Sequence, residues 1–205
     1  MILKKVILII LFGVFTTLTC FSQIKFGAKA GLNVSRFYLS PSTANLEGKS
    51  RFSYHFGGFV ELPFNKVLGF NPEILISNKG SENDRTITNE GSVSLNYLSV
   101  PLMFYFKPIP IFQIEMGPEF DFLLSAVARD GNKKTNVNKI YKDKFDMSIN
   151  GGVKVNLPKS FQIGARYCHG IYSFDKVVLT DDQANPLPPI MFYNRLFQIS
   201  VGYKF

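Results

Sequence analysis

From residue 24 onward, apolar and polar side chains alternate, and the alternation returns eight times along the chain. In the first stretch Ile24, Phe26, Ala28, Ala30, Leu32 and Val34 share one parity; Lys25, Gly27, Lys29, Gly31, Asn33 and Ser35 share the other. A strand sends successive side chains to opposite faces, so this stretch has one wholly apolar face and one small or polar face. Equivalent stretches run from Phe52 to Leu62, Leu68 to Ser77, Val93 to Phe106, Phe112 to Leu124, Phe145 to Val155, Phe161 to Tyr167 and Phe197 to Phe205. A helical period of 3.6 is almost absent, so the pattern predicts eight strands. In the fourth stretch Val93, Leu95 and Tyr97 hold one parity, and Leu98, Val100, Leu102, Phe104 and Phe106 the other. A slip of one residue inverts facing, which predicts a bulge or irregularity near Tyr97-Leu98 and puts Pro101 on the inner parity.

Composition decides which medium meets each face. Of 205 residues 21 are Phe and none is Trp; 46% are apolar and only 19% charged. The polar parity, rich in Gly, Ser and Asn, makes a poor water-facing surface. The apolar parity is too bulky for the interior of an eight-stranded barrel. Turning the apolar set outward into lipid removes both difficulties. Backbone groups in hydrocarbon must all be paired, so the sheet must close on itself. The gaps between strands agree with this: about 38–50, 80–91, 130–144 and 175–192 are long, whereas Pro63-Phe64-Asn65-Lys66, Lys107-Pro108-Ile109-Pro110 and Pro158-Lys159-Ser160 are short. Long loops on one rim and short turns on the other mark outer-membrane barrels. The expectation is an all-β, eight-stranded, antiparallel up-and-down transmembrane β-barrel over residues 23–205. Both termini then lie on the short-turn, periplasmic side.

Residues 1–22 read as a cleaved secretory signal: Lys4 and Lys5 precede the apolar run Val6 to Val14, and small residues Cys20 and Ser22 lead to Gln23. Cys20 after Leu18-Thr19 leaves lipidation as the rival reading. Removal of Lys4 and Lys5 lowers the net charge from +8 to +6. Cys168 is then a lone thiol with no internal disulfide partner.

Several stretches resemble the outer-membrane β-barrel family of Bacteroidota typified by PorT and often labelled a porin family. They are Gly27 to Ser35, Tyr97-Leu98-Ser99-Val100-Pro101-Leu102, Gly117-Pro118, Ala165-Arg166-Tyr167 with Gly170-Ile171, and the ending Val201-Gly202-Tyr203-Lys204-Phe205. The resemblance spans essentially the whole mature chain and implies an outer-membrane barrel, with a role in type IX secretion as one possible duty. It carries over no catalytic residue.

The inner parity holds Lys25, Lys29, Glu61, Glu73, Glu115, Glu119, Asp121, Asp146, Lys154, Arg166 and Lys204. Buried charges must pair, so mixed signs in a narrow lumen predict a cross-linked plug. Arg166 is the expected central cation, with Glu119, Asp121 or Glu73 as acceptors and Lys29 beside them. A polar conduit is the alternative. Phe205, preceded by Phe197, Ile199, Val201 and Tyr203, reads as a closing strand and as a signal for the barrel-assembly machinery. Lys133, Lys134, Lys139 and Lys142 give the 130–144 loop a basic patch suited to lipopolysaccharide phosphates, against the plainer reading of a solvated loop. His55 and His169 fall on opposite parities and no Ser or Asp shows a nucleophile motif, so no catalytic, cofactor or metal site is expected. Nucleic acid is no expected partner, since no binding motif accompanies the basic residues. The expected role is structural or interactive in the outer membrane, with envelope or secretion complexes as candidate partners. Alternatives are a secretion accessory and a narrow channel.

Overall fold

The computed structural model describes residues 24–40, 49–82, 91–131, 133–139, 144–172, 175–177 and 190–205. The leader at 1–22 and Lys142 lie outside these residues. Eight long strands form the wall: β1 (Lys25–Ser40), β2 (Arg51–Pro63), β3 (Leu68–Glu82), β4 (Gly91–Ile109), β5 (Phe112–Asp130), β7 (Phe145–Asn156), β8 (Phe161–Gly170) and β10 (Ile190–Lys204). Two short strands are added at the long-loop rim, β6 (Lys133–Asn136) against β5 and β9 (Asp175–Val177) against β10. Each wall strand pairs antiparallel with the next, and β1 also pairs with β10, which closes the barrel. No described helix is long and apolar enough to cross a membrane.

The wall is inside-out relative to a water-soluble protein. Phe52, Leu32, Ile74 and Met116 are 74%, 62%, 63% and 64% exposed on the outer face, whereas Glu73, Glu119 and Arg166 are 1%, 0% and 4% exposed within. A continuous apolar exterior of this size is not sustained in water. The band has a sharp upper edge. Outward positions change from Val34 to Arg36 on β1, from Phe197 to Arg195 on β10 and from Tyr167 to His169 on β8. On the opposite side the edge is a polar ladder: Asn78 Nδ2 donates to Ser94 Oγ at 2.9 Å and Asn96 Oδ1 at 2.6 Å, and Asn96 Nδ2 donates to Ser125 Oγ at 2.9 Å. From Ile24 to Val34 the strand rises about 33 Å, or about 25 Å after a tilt near 40°, the height of the lipid-facing band in such barrels.

Above that edge the polarity reverses. Phe37, Val93, Leu95, Tyr97, Leu123, Ala126, Ala128, Val137 and Phe192 form an apolar cluster inside the barrel, while Arg36, Ser94, Asn96 and Arg195 face outward. This corrects the expected slip in the fourth strand. Odd positions of β4 from Gly91 to Tyr105 point inward without a break; what changes at Tyr97-Leu98 is the medium, from water outside to lipid outside. An irregularity does lie at that level, but the extra residue sits on β5. Asn96 pairs with Ser125 and Tyr97 with Leu123, which leaves Leu124 unpaired. Inward facing on β5 passes there from odd positions to Ala126 and Ala128. Pro101 faces inward as expected, opposite Glu119.

The strands also run further into the long gaps than their alternation suggests, to Ser40 on β1 and Glu82 on β3. The β4–β5 turn shrinks to Pro110-Ile111, and these two 19-residue strands are nearly twice the length of the ten-residue β8. At the same short-turn rim Asn65 Oδ1 accepts from the amides of Val67 and Leu68 at 2.8 and 2.7 Å, fixing the β2–β3 turn.

Candidate functional site

Period two places eleven charged positions on the inner face, and the register decides which of them meet. The central group draws on five strands. Arg166 of β8 donates through Nη1 and Nη2 to the two oxygens of Glu73 on β3 at 3.0 and 2.8 Å. The same guanidinium reaches Glu115 Oε1 on β5 through Nε at 3.0 Å and Nη2 at 2.5 Å. Lys29 of β1 lies 2.6 Å from Glu73, and Lys154 of β7 lies 2.7 Å from Glu115 and 3.4 Å from Glu73. Asn71 supplies a further donor to Glu73 at 2.8 Å. A guanidinium suits this position because its planar fork holds two carboxylates at once. Gly152 makes room for it: Glu115 pairs with Gly152 and Gly152 with Arg166, so the residue between the two has no side chain to part them.

A second group lies above. Lys79 Nζ is 2.9 Å from Glu119 and 2.6 Å from Asp121, Ser99 donates to Asp121, and Asn150 donates to Glu119 at 2.6 Å. Asp146 accepts from Asn194 Nδ2 at 2.5 Å. The Lys79 ammonium also sits 5.4 Å from the Tyr97 ring, beneath the apolar cluster. A third group closes the short-turn end, where Glu61 pairs with Lys107 and, at 3.3 Å, with Lys204. Lys204 in turn donates to Asn156 at 2.6 Å.

These inner groups balance. Lys29, Lys79, Lys107, Lys154, Arg166 and Lys204 face Glu61, Glu73, Glu115, Glu119, Asp121 and Asp146, six charges of each sign. Taking an ion out of water costs several kcal/mol unless excellent geometry repays it. The close, multiply bonded pairs above meet that condition.

The expected network of Lys29, Glu73, Glu119, Asp121 and Arg166 is thus divided. Lys29, Glu73 and Arg166 fall together with Glu115 and Lys154; Glu119 and Asp121 fall with Lys79 and bond to it, not to Arg166. The clear alternation of the third stretch stops at Ser77, two residues short of Lys79. Extending its odd parity by one step puts Lys79 inside. Phe197, Tyr203 and Phe205 point outward at 43%, 41% and 78% exposure. Tyr203 packs edge-on against Phe161 and Phe205, with ring centroids 5.1 and 5.6 Å apart, and the Phe205 amide donates to Phe26 at 2.8 Å across the closing seam. Lys133 and Lys134 are not in an irregular loop: both lie on β6, exposed, and Lys139 is exposed in the turn that follows. His55 Nδ1 faces Asn33 Oδ1 at 2.7 Å inside the barrel, and His169 contacts Arg195 on the outer wall, so the two histidines do not share a site. Among the described residues no group of His, Cys, Asp and Glu is arranged to hold a metal ion.

A family model described as outer membrane protein beta-barrel domain matches residues 21–176. No curated protein sequence matches the chain. Among the solved structures that share the fold are the following two. Ail, the attachment invasion locus protein of Yersinia pestis, is 13% identical, with a TM-score of 0.53 over 88% of this chain and 98% of its own. Neisserial surface protein A is 10% identical, with a TM-score of 0.54 over 90% of this chain and 100% of its own.

Proposed function

This chain belongs to the outer membrane protein β-barrel domain family and is a protein of the bacterial outer membrane, and from that premise we propose that it is a closed, non-conducting barrel with an interaction role. The observation that carries this reading is the central ion-pair group, which links β1, β3, β5, β7 and β8 across the lumen. An ion entering there would have to break several desolvated pairs at once. The tall β3–β4–β5–β6 side is then the surface offered to partners. It rises above the lipid edge, is held from within by the apolar cluster, and ends in the exposed strand β6, which among the described residues pairs with β5 alone. The short turns and both termini lie on the periplasmic side, and β10 with Phe205 serves the barrel-assembly machinery during insertion. The basic residues Lys133, Lys134 and Lys139 meet lipopolysaccharide or another anionic partner.

The PorT-like stretches, above all Tyr97 to Leu102 around the embedded Pro101, favour a second reading as an accessory of type IX secretion. Single-channel recording in planar bilayers tests the closed lumen: no stable open level is expected, and a reproducible resolved level overturns the reading in favour of a narrow channel. Photo-crosslinkers at Ser94 and Arg129 in native membranes test the interaction role. Capture there but not at the lipid-facing Ile163 or Val201 is expected, and capture of secretion components decides for the second reading.

A further inference from the structure

On the outer wall, three basic side chains occupy one cross-strand row. Arg36 of β1 pairs with Arg195 of β10, and Arg195 pairs with His169 of β8. All three face outward. The row directly below is Val34, Phe197 and Tyr167, and the next is Leu32, Ile199 and Ala165, all wetted by acyl chains. The basic row therefore sits at headgroup depth at the long-loop side of the membrane.

Like charges directly opposite one another across strands repel, and nothing described here offsets them. β1, β8 and β10 contain no Asp or Glu at all. Among the described residues no carboxylate pairs with Arg36 or Arg195. The nearest acidic position in the ladder is Asp175, opposite Phe192, three residues further up β10. Arg195 is held in place: its guanidinium carbon lies 4.8 Å from the centre of the Tyr38 ring, and Nη1 donates to the Tyr167 hydroxyl at 3.4 Å and to His169 Nδ1. Because Nδ1 accepts, His169 carries its proton on Nε2, a further outward donor. Arg195 Nε is buried and has no partner among the described residues.

We propose that Arg36, Arg195 and His169 form a binding site for a phosphate group on the headgroup of an outer-leaflet glycolipid. Two guanidiniums and an imidazole N–H, spaced at the strand separation of about 4.8 Å, offer donors and charge matching a phosphate monoester. The apolar rows beneath receive the lipid's chains, which selects a lipid over free phosphate. This site is separate from Lys133, Lys134 and Lys139 on the β5–β6 side.

Native mass spectrometry of the full chain refolded in detergent, with bisphosphorylated lipid A as probe, tests the site. Retention at least ten-fold above that of dephosphorylated lipid A is expected. R36Q/R195Q should lose roughly ten-fold of that retention, as expected for charge-assisted contacts at a partly exposed site, while keeping the folded mobility in cold SDS gels. R36K/R195K should recover part of it, and K66Q/K159Q, two exposed lysines at the short-turn rim, should leave it unchanged. Equal retention by R36Q/R195Q, or equal retention of the dephosphorylated lipid, would overturn the proposal. So would loss of retention in K133Q/K134Q alone, which points to the β5–β6 patch, or displacement of the lipid by millimolar inorganic phosphate, which points to a free-anion site.

Discussion

Glu73 is the residue whose loss the lumen should tolerate least. It accepts from Lys29 at 2.6 Å, from Arg166 at 2.8 and 3.0 Å, from Asn71 at 2.8 Å and from Lys154 at 3.4 Å. Replacement by Gln keeps the volume and removes the charge, so that Lys29, Lys154 and Arg166 face Glu115 alone. Breaking a buried pair by neutralising one partner costs about 3–5 kcal/mol, because the remaining charge is stranded. At the lower figure the folded-to-unfolded ratio falls roughly 150-fold. Arg166→Met alone leaves two cations against two carboxylates. The double variant returns the group to the wild-type excess of one positive charge. A double-mutant cycle should therefore show the pair costing less than the two single changes together, by about 1–3 kcal/mol. The chain has no Trp, so reversible urea unfolding in lipid vesicles is followed by far-UV circular dichroism and by gel mobility without boiling. A Glu73→Gln variant within about 0.5 kcal/mol of wild type, or strict additivity in the cycle, would mean that water screens these charges, and the plug would be refuted.

Three further perturbations read the wall. The β7–β8 turn places Lys159 and Ser160 at φ 59° and 65°, where side-chain-bearing residues are strained, so Lys159→Asn with Ser160→Gly should raise stability by about 1–2 kcal/mol in the same urea assay; no gain would show the turn to be unstrained. A Cβ at Gly117 would lie 2.0 Å from the Leu102 carbonyl oxygen, beside the interruption at Pro101, whereas one at Gly151 would meet nothing within 4 Å. Gly117→Ala should cost about 1–3 kcal/mol and Gly151→Ala little, and equal effects would contradict the close approach of β4 and β5. Deleting Phe205 removes the amide that closes onto Phe26 and the outermost ring of the terminal strand; the truncated chain should insert poorly into membranes bearing the assembly machinery, and normal insertion would count against a signalling role.

Hydrophobic alternation reports what each face touches and not which way it points, and β4 separates the two. Its odd positions from Gly91 to Tyr105 face inward, yet its apolar residues pass from odd (Val93, Leu95, Tyr97) to even (Leu98, Val100, Leu102) where the outer medium changes from water to lipid. A one-residue slip leaves the same trace in sequence, and β5 contains a true one at Leu124 a few ångströms away. Facing was therefore legible wherever one medium covered a whole strand, as on β7. At the long-loop edge, where β4 crosses from one medium to the other, it was ambiguous.

Pairing within the lumen was less legible for a different reason. Parity gives the face of each charge, whereas partners need its height and its position around the circumference. Those follow from register, and register follows from turns. The tight turn at Lys159-Ser160 sets Arg166 opposite Gly152, so that half of the row is accessible from sequence. Glu115 joins the row only through the pairing of β5 with β7 across the 130–144 gap, whose length fixes no register. Such long connections are also where the barrel gains its additional strands β6 and β9. The alternation was therefore enough to identify a barrel with a charged interior. To place Arg166 between Glu73 and Glu115 rather than Glu119 and Asp121 required knowing how the chain returns from its long loops.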